Sequence, residues 1–282
     1  RGDRLAVAVA VYDSADPFCA LLTKGIERRL AAAGGLTILC NGQPRFQPDG
    51  ETTRALQCPL AGTIFVPTTE NIHNPDYVRT FSERPGCGKS PFVVVDVMIP
   101  GVTAPYVGFD NYNAFRDLAA AAIRSPLRFR QILFLGALEN VTGTERVSGF
   151  KAGLKSGAAF AGAMRIANIT SLRVDLPLAA ADLRGQRPTL IISASPRILP
   201  PLLAFCHAQG LRIPDEVVIA SVLEENFAAS VVAPVLGWIK PSLKLGALAA
   251  ERLLDRLAGK PVKPITKIPL ERHTPDALRG IL

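Results

Sequence analysis

The 282-residue chain lacks the residue patterns that bind structural metals or build a disulfide framework. Its five cysteines are an odd number, lie far apart and contain no CxxC pair, which argues against both kinds of site. Its three histidines are equally scattered and form no HxxxH or HExxH pattern. We therefore predict no metal, no cofactor and a reducing, cytoplasmic location.

The chain also lacks long apolar runs and blocks of like charge. No run approaches the roughly 18 apolar residues of a membrane span, and residues 1–10 lack the layout of a signal peptide, so we expect no membrane association. The net charge is +8, but the basic residues are dispersed rather than clustered as in a nucleic-acid-binding tail. The charge leaves open an anionic ligand, an acidic partner or no functional consequence.

Catalytic motifs are missing as well. The sequence contains no GxSxG, no GxxxxGK[ST] and no GxGxxG, and no Cys/His pair has a motif around it, so we predict that the protein is not an enzyme. A hydrophobic content of 48% and a mean hydropathy of +0.23 nevertheless indicate a folded core. The length suits two lobes of about 120 to 150 residues each.

Apolar runs and helical spacings alternate along the chain, which predicts an α/β fold with two Rossmann-like lobes, parallel sheets and a cleft between the lobes. The predicted strands are 5–11, 36–40, 63–66, 91–97, 106–109, 131–135, 189–193 and 217–221. The predicted helices are 18–33, 114–123, 146–155, 199–209 and 243–257.

The segment 136–150 is the most informative, because it follows the apolar run 131–135 and leads into a helix at Arg146. Ligands of open α/β sheets bind beyond the carboxyl ends of the strands, which is where this pattern places Arg146. A guanidinium there can donate two hydrogen bonds to a carboxylate or a hydroxyl pair. The alternative is a solvated arginine on a helix surface.

Several segments in a fixed order resemble the effector-binding core of LacI/GalR-family transcriptional repressors, a fold shared with periplasmic sugar-binding proteins. Residues 13–19 resemble the family's Asp-x-Ser-Asn-Pro-Phe-Phe, and 136–150 contain its Thr-Gly-x-x-Arg-x-x-Gly-Phe. The other matching segments are 107–112 with Arg116, 213–217, 241–246 and 251–254. The resemblance covers nearly the whole chain.

The resemblance implies a periplasmic-binding-protein-like fold of type I, with three crossover connections. The N-terminal lobe would comprise residues 1–110 and 242–267, and the C-terminal lobe 111–241 and 268–282. A helix-turn-helix and hinge of about 60 residues, which reads operator DNA as a dimer in this family, is absent from this sequence. The core would form a homodimer and would bind a small-molecule effector. Apolar residues near 18–30 and 77–81 either form the dimer contact or pack in the core, since periodicity does not separate the two.

The implied mechanism is a population shift. An effector between the lobes favours one lobe orientation, and that orientation sets the spacing of the two DNA-binding heads. A periplasmic sugar-binding protein is the alternative class. It would carry a hydrophobic leader upstream of Arg1 and usually lacks the Asp110-Asn111 and 241–246 signatures.

The candidate ligand residues are carried over position by position. Arg146 matches the family's cleft arginine. Asp13 and Asp16 follow the first strand, where they accept sugar hydroxyls or, for Asp16, cap the next helix. Phe18 either stacks on the ligand or belongs to the core. Asp110 and Asn111 lie at a crossover and serve either the hinge or the ligand.

Two departures from the family change the expected ligand. Leu223 stands where relatives usually have an aspartate, and Glu224 is a candidate to replace that carboxylate by a shift of one residue. Arg197, near relatives' usual Asn-Asp, is either a second cation in the cleft or a surface residue. The cleft would thus lose a carboxylate at Leu223 while it keeps Arg146, with Arg197 as a candidate second cation. This change favours an anionic ligand, such as a sugar acid or a sugar phosphate, over a neutral sugar.

Overall fold

The computed structural model describes residues 5–41, 60–68, 72–73, 91–138, 140–155, 160, 162–169, 179–228 and 231–281. The chain folds into two compact units, unit 1 being Arg1–Phe109 with Pro241–Ile268 and unit 2 Asp110–Lys240 with Pro269–Leu282. It therefore passes from one unit to the other at three points. Within the described ranges, no helix is both long and apolar enough to cross a bilayer.

Unit 1 contains a parallel six-stranded sheet with the order β11-β5-β4-β3-β1-β2. Its strands are β1 (Ala6–Val11), β2 (Leu36–Asn41), β3 (Gly62–Phe65), β4 (Phe92–Val95), β5 (Tyr106–Phe109) and β11 (Ile265–Ile268). Five of the six residues of the central strand β1 are buried. Its continuous apolar sequence fits a strand covered on both faces, as in other parallel sheets.

Two helices of unit 1, α1 (Pro17–Ala31) and α7 (Ser242–Leu257), pack closely against each other. A Cβ at Gly246 would lie 2.1 Å from the carbonyl oxygen of Leu22, so only glycine allows this approach. The large apolar side chains of α1, including Ile26 and Leu30, are buried in the core of unit 1. For this helix, the burial of the apolar stripe supports the core alternative over a dimer contact.

Unit 2 has a second six-stranded sheet with the order β12-β10-β9-β8-β6-β7. Its strands are β6 (Gln131–Gly136), β7 (Ala163–Asn168), β8 (Thr189–Ser193), β9 (Val217–Glu224), β10 (Val235–Lys240) and β12 (Glu271–His273). All pairings are parallel except β12 with β10. The helices are α2 (Asn111–Arg124), α3 (Val141–Lys155), α4 (Ala180–Leu183), α5 (Leu199–Ala208) and α6 (Glu225–Ala228), followed by a 3-10 turn at Asp276–Leu278.

The two parallel α/β sheets confirm the predicted fold class. The sequence prediction missed β7, a half-exposed edge strand, and β10, whose Gly237 interrupts the apolar run. It also missed the short strands β11 and β12. Helix α3 begins at Val141, before the predicted start, because the side chain of Asn140 accepts a hydrogen bond from Gly143 N at 2.6 Å. Arg146 consequently lies inside the helix and not at its start. The predicted contact segment 77–81 lies outside the described residues.

Helices α2 and α3 run side by side in unit 2 at a distance set by glycine. A Cβ at Gly149 would lie 2.1 Å from the carbonyl oxygen of Tyr112, far inside contact distance. This approach aligns the first turn of α2 with Arg146 on α3. The second glycine of the Thr-Gly-x-x-Arg-x-x-Gly-Phe pattern, Gly149, is thus required by helix packing.

We predict that Gly149→Ala destabilises the protein by about 1 to 3 kcal/mol, because the added methyl group forces the two helices apart. Urea unfolding followed by circular dichroism measures the change. Lys151→Ala, at an exposed position of the same helix, is the matched control and should stay within about 0.5 kcal/mol of the parent chain. Equal effects of the two substitutions would contradict the packing argument.

Candidate functional site

Arg146 is the best-anchored cation at the carboxyl edge of the unit 2 sheet. Its side chain is on α3, and the residue is only 6% exposed. Its Nε donates to Asn111 Oδ1 at 2.8 Å, its Nη1 donates to the carbonyl oxygen of Ala194 at 2.7 Å, and its guanidinium carbon lies 5.9 Å from the centre of the Phe115 ring. These contacts exclude the alternative of a solvated surface arginine.

The partners of Arg146 come from two elements, helix α2 and the end of strand β8, which meet at the same edge. Asn111 is the first residue of α2 and is 1% exposed, and its Nδ2 donates to Glu145 Oε2 at 3.4 Å. Ala194 follows β8 directly. A parallel sheet with helices returning from this edge collects such loop residues at one place, which is where ligands of this fold class bind.

Arg197 lies in the turn between β8 and α5, three residues after Ala194. It is exposed, and its backbone N–H donates to Ser195 Oγ at 3.3 Å, while Ser193 Oγ donates to the carbonyl oxygen of Ser195 at 2.8 Å. The turn therefore belongs to the same edge as Arg146. For Arg197, both alternatives stay predictions: a second cation of the site and an exposed surface residue.

Glu224 forms a buried ion pair. Its Oε1 lies 3.0 Å from Lys240 Nζ, and the two side chains are 6% and 9% exposed, respectively. The pair joins the last residues of β9 and β10, which face each other in the sheet register. The carboxylate that is the candidate to replace the missing aspartate at Leu223 is thus already neutralised by a lysine of its own unit.

In unit 1, the candidate residues after β1 build the start of α1. Asp16 is the N-cap, because its side chain accepts from Phe18 N at 2.9 Å. Asp13 is exposed, and its Oδ1 accepts from Ala15 N at 2.9 Å. Phe18 is 2% exposed, and its ring meets Phe109 edge-on at 6.2 Å. These contacts support the structural alternative for both residues: Asp16 caps the helix, and Phe18 belongs to the core.

At the first crossing, Asp110 caps α2. Its Oδ1 accepts from Asn113 N at 3.2 Å, and its Oδ2 accepts from Asn113 Nδ2 at 2.6 Å. These bonds fix the backbone where the chain enters unit 2. For Asp110 and Asn111, the hinge alternative is the one that their contacts support, and Asn111 additionally positions Arg146.

Asp96 is a candidate that the sequence reasoning missed. It follows β4 with a left-handed backbone (φ 68°), which is costly for a residue other than glycine. Its Oδ1 is buried and has no hydrogen-bond partner within the described residues. Tyr106 Oη donates to its carbonyl oxygen at 2.8 Å. The available signal was a carboxylate directly after an apolar strand, the same pattern that pointed to Asp13.

Asp96 lies close to the loop after β1. The pKa of Tyr12 is raised well above its ordinary value, mainly because the side chain is buried. The neighbouring Cys19, Asp16 and Asp96 are the next causes. Negative charge therefore accumulates at the carboxyl edge of the unit 1 sheet. Within the described residues, no three His, Cys, Asp or Glu side chains are grouped as metal ligands. Ionised carboxylates accept hydrogen bonds, for example from hydroxyl groups.

The sequence comparisons agree with this architecture. A family model described as a periplasmic binding protein-like domain matches residues 126–274. The regulator GntR of Escherichia coli is 24% identical over 92% of this chain and 76% of its own length. The regulator CelR of Thermobifida fusca is 23% identical over 97% of this chain and 80% of its own length.

Solved structures with the same fold include a probable maltose operon repressor from Staphylococcus aureus, with a TM-score of 0.82, 16% identity and 99% coverage of both chains. A LacI-family regulator from Enterococcus faecium with bound ribose has a TM-score of 0.76 and 19% identity, covering 95% of this chain and 97% of its own. The lac repressor dimer on its operator has a TM-score of 0.74 and 17% identity, covering 97% and 94%, respectively.

Two parallel α/β units, each with polar side chains at the carboxyl ends of its strands, define the class of two-lobed binding proteins. The chain belongs to the family of periplasmic binding protein-like domains, since the family model covers more than half of its residues. Within that family it is an effector-binding core of the LacI/GalR type, as the resemblance implied.

We predict that Glu224→Gln and Lys240→Met each destabilise the protein by about 3 to 5 kcal/mol, because each leaves one buried charge unpaired. The double variant Glu224→Leu with Lys240→Met should recover much of this loss. Urea unfolding measures all three. The control Arg279→Ala breaks an ion pair whose side chains are 77% and 87% exposed and should cost less than about 1 kcal/mol. Single variants as mild as the control would show that the pair is not buried.

We predict that the thiol of Cys19 resists alkylation at pH 8 in the folded protein. Burial, with the charge of Asp16 as the next cause, raises its pKa from 9.0 to about 12. The stability that Cys19 contributes is complete below pH 9.0 and is lost between 9.0 and about 12, because the unfolded chain releases the proton first. Site-resolved mass spectrometry after iodoacetamide treatment, with and without urea, checks this. Equal labelling in both conditions would contradict the burial of this thiol.

Proposed function

We propose that this chain is the effector-sensing and dimerisation core of a bacterial LacI-type transcriptional regulator. It binds a small sugar-derived molecule, and operator DNA is read by a separate helix-turn-helix domain of the full protein. It acts as a binding protein in the cytoplasm and catalyses no reaction. The observation that carries the proposal is the buried Arg146, which Asn111 and Ala194 hold at the ligand-binding edge of the sheet.

The relatives support the sensing role. GntR and CelR are named as transcriptional regulators, and another relative, from Geobacillus stearothermophilus, is named as a repressor of arabinose metabolism. One structural neighbour holds ribose, and another is a dimer on its operator. A sugar-derived effector and a homodimer are the corresponding proposals for this chain.

The distribution of charge favours an anionic effector such as a sugar acid or sugar phosphate. Unit 2 offers Arg146 and Arg197 at the carboxyl edge, while its acidic candidate Glu224 is paired with Lys240. Unit 1 offers Asp13 and the buried Oδ1 of Asp96 as acceptors. An anionic group suits the guanidinium groups of unit 2, and hydroxyl groups suit the carboxylates of unit 1.

The effector acts by shifting a population. A ligand shifts the balance between two conformations of a protein only by its difference in affinity for the two. Arg146 is suited to this role, because its partner Asn111 lies two residues after the first crossing. Effector binding at the guanidinium therefore bears directly on the segment that joins the units.

A periplasmic sugar-binding protein is the second candidate, favoured by the description of the matching family model itself. The sequence upstream of Arg1 separates the two candidates. A helix-turn-helix there supports the regulator, and a hydrophobic leader supports the periplasmic receptor.

We predict that a sugar acid or sugar phosphate, at about a hundred times its Kd, stabilises the fold by about 2.7 kcal/mol and raises Tm by about 5 to 10 °C. A thermal-shift screen that also contains neutral sugars and purines identifies the ligand class. Titration calorimetry then measures Kd. Arg146→Met should abolish binding of the anionic ligand, whereas Arg146→Lys should keep part of it.

The matched control is Arg116→Met, which makes the same charge change at a side chain that is 45% exposed on α2. It should leave Kd unchanged. Binding of neutral sugars alone, with Arg146→Met retaining that affinity, would contradict the anionic effector and the role of Arg146 together. Circular dichroism confirms that each variant is folded before its affinity is compared.

A further inference from the structure

The amino edge of the unit 2 sheet, opposite the edge that holds Arg146, is strongly basic. The turns that lead into its strands contain Arg128 and Arg130 before β6, Arg184 and Arg187 before β8, and Arg212 before β9. Apart from Arg130, which is half-buried, these arginines are exposed. None of them has a part in the proposed effector site, because the length of a strand separates the two edges.

Backbone pairing shows that these turns are neighbours. Arg130 N donates to the carbonyl oxygen of Pro188 at 3.1 Å, and Ala163 N donates to that of Arg130 at 3.3 Å. Thr189 N donates to the carbonyl oxygen of Glu216 at 2.9 Å. Since adjacent strands are about 4.8 Å apart, the turns before β7, β6, β8 and β9 lie within about 15 Å of one another.

The helices that return from the ligand edge end at this basic edge and add to its charge. Arg124 is the last residue of α2 and Lys155 the last of α3, and Arg165 on β7 lies 3.9 Å from Asp182. With these, the described residues of the edge include eight basic side chains and three acidic ones, the latter being Asp182, Asp215 and Glu216.

Helix ends and local hydrogen bonds compensate only part of the positive charge of this edge. The carboxyl ends of α2, α3 and α5 each contribute about half a negative charge, which leaves a surplus of roughly three to four positive charges. Arg184 donates to the carbonyl oxygen of Gln209 at 2.7 Å, and Arg212 Nε lies 3.3 Å from Glu216 Oε2. The side chains of Arg124, Arg128 and Arg187, by contrast, make no hydrogen bond or ion pair with any described residue.

We propose that this basic edge, defined by Arg124, Arg128, Arg130, Arg184, Arg187 and Arg212, docks a carboxylate-rich segment of another protein. Guanidinium groups bind carboxylates through paired hydrogen bonds, and the cations of the edge are almost all arginine. Their spread over several turns matches an extended segment with several carboxylates. The interaction leaves the opposite, effector-binding edge of the sheet free.

The same edge is less suited to nucleic acid. Single-stranded nucleic acids are bound by exposed aromatic side chains. The described aromatic side chains of this edge include Phe129, which is only 3% exposed, and Phe160 before β7, which is half-buried, so neither is exposed as a stacking platform.

A labelled twelve-residue polyglutamate peptide is the probe, and fluorescence anisotropy at about 100 mM salt measures its Kd for the whole chain. Replacing Arg124, Arg128 and Arg187 together with glutamine should weaken binding about tenfold, since each lost contact removes a few tenths of a kcal/mol. The matched control replaces Lys24, Arg28 and Lys263 in unit 1, exposed residues that carry the same charge. It should change Kd less than about twofold.

Three other outcomes of this experiment would each overturn the proposal. Equal weakening by both triple variants shows that only the overall charge attracts the peptide, and absence of binding by the parent chain shows that the edge has no affinity for carboxylates. Tighter binding of a DNA strand of equal charge, lost in the edge variant, assigns the edge to nucleic acid instead. Thermal unfolding of both variants establishes that they are folded, and their affinity for the effector should be unchanged.

Discussion

The hydrogen bond from Arg146 Nε to Asn111 Oδ1 is the interaction on which the organisation of unit 2 depends. A guanidinium that is only 6% exposed must be hydrogen-bonded, because an unpaired buried charge is severely destabilising. Asn111 and the carbonyl oxygen of Ala194 meet that requirement. The bonds join the start of α2, the second turn of α3 and the end of β8, so one cation both orders the edge and remains at the place where a ligand is expected.

The direction of the parallel strands separates the chemistry of unit 2 into two edges. Loops that follow the strands place Arg146, Arg197 and the Glu224–Lys240 pair at the carboxyl edge. Turns that precede the strands place most of the surplus arginines at the amino edge. Because helices return from one edge to the other, their amino ends lie at the edge where ligands of this fold class bind, while their carboxyl ends favour basic residues. The proposed effector site and the proposed docking surface thus lie at opposite edges of one sheet.

Close helix packing explains residues that a resemblance alone would assign to function. Gly149 belongs to the same motif as Arg146, and its role is to let α3 approach the carbonyl oxygen of Tyr112. Phe18 similarly belongs to a motif after β1, yet its ring packs against Phe109. Both motifs therefore contain residues whose contacts are packing contacts beside the candidate ligand residues. Separating the two requires burial and contacts, which spacing does not contain.

The amino-acid sequence by itself determined the alternation of strands and helices, the two sheets and the family, because apolar periodicity and local turn residues are properties of neighbouring positions. It also indicated Arg146, since a cation after a buried strand falls at the ligand edge. Only the tertiary structure decided that Glu224 is neutralised by Lys240, sixteen positions further along the chain, and that Asp96 joins the loop after β1. Those relations arise from strand order and register, which bring together residues that no local pattern connects.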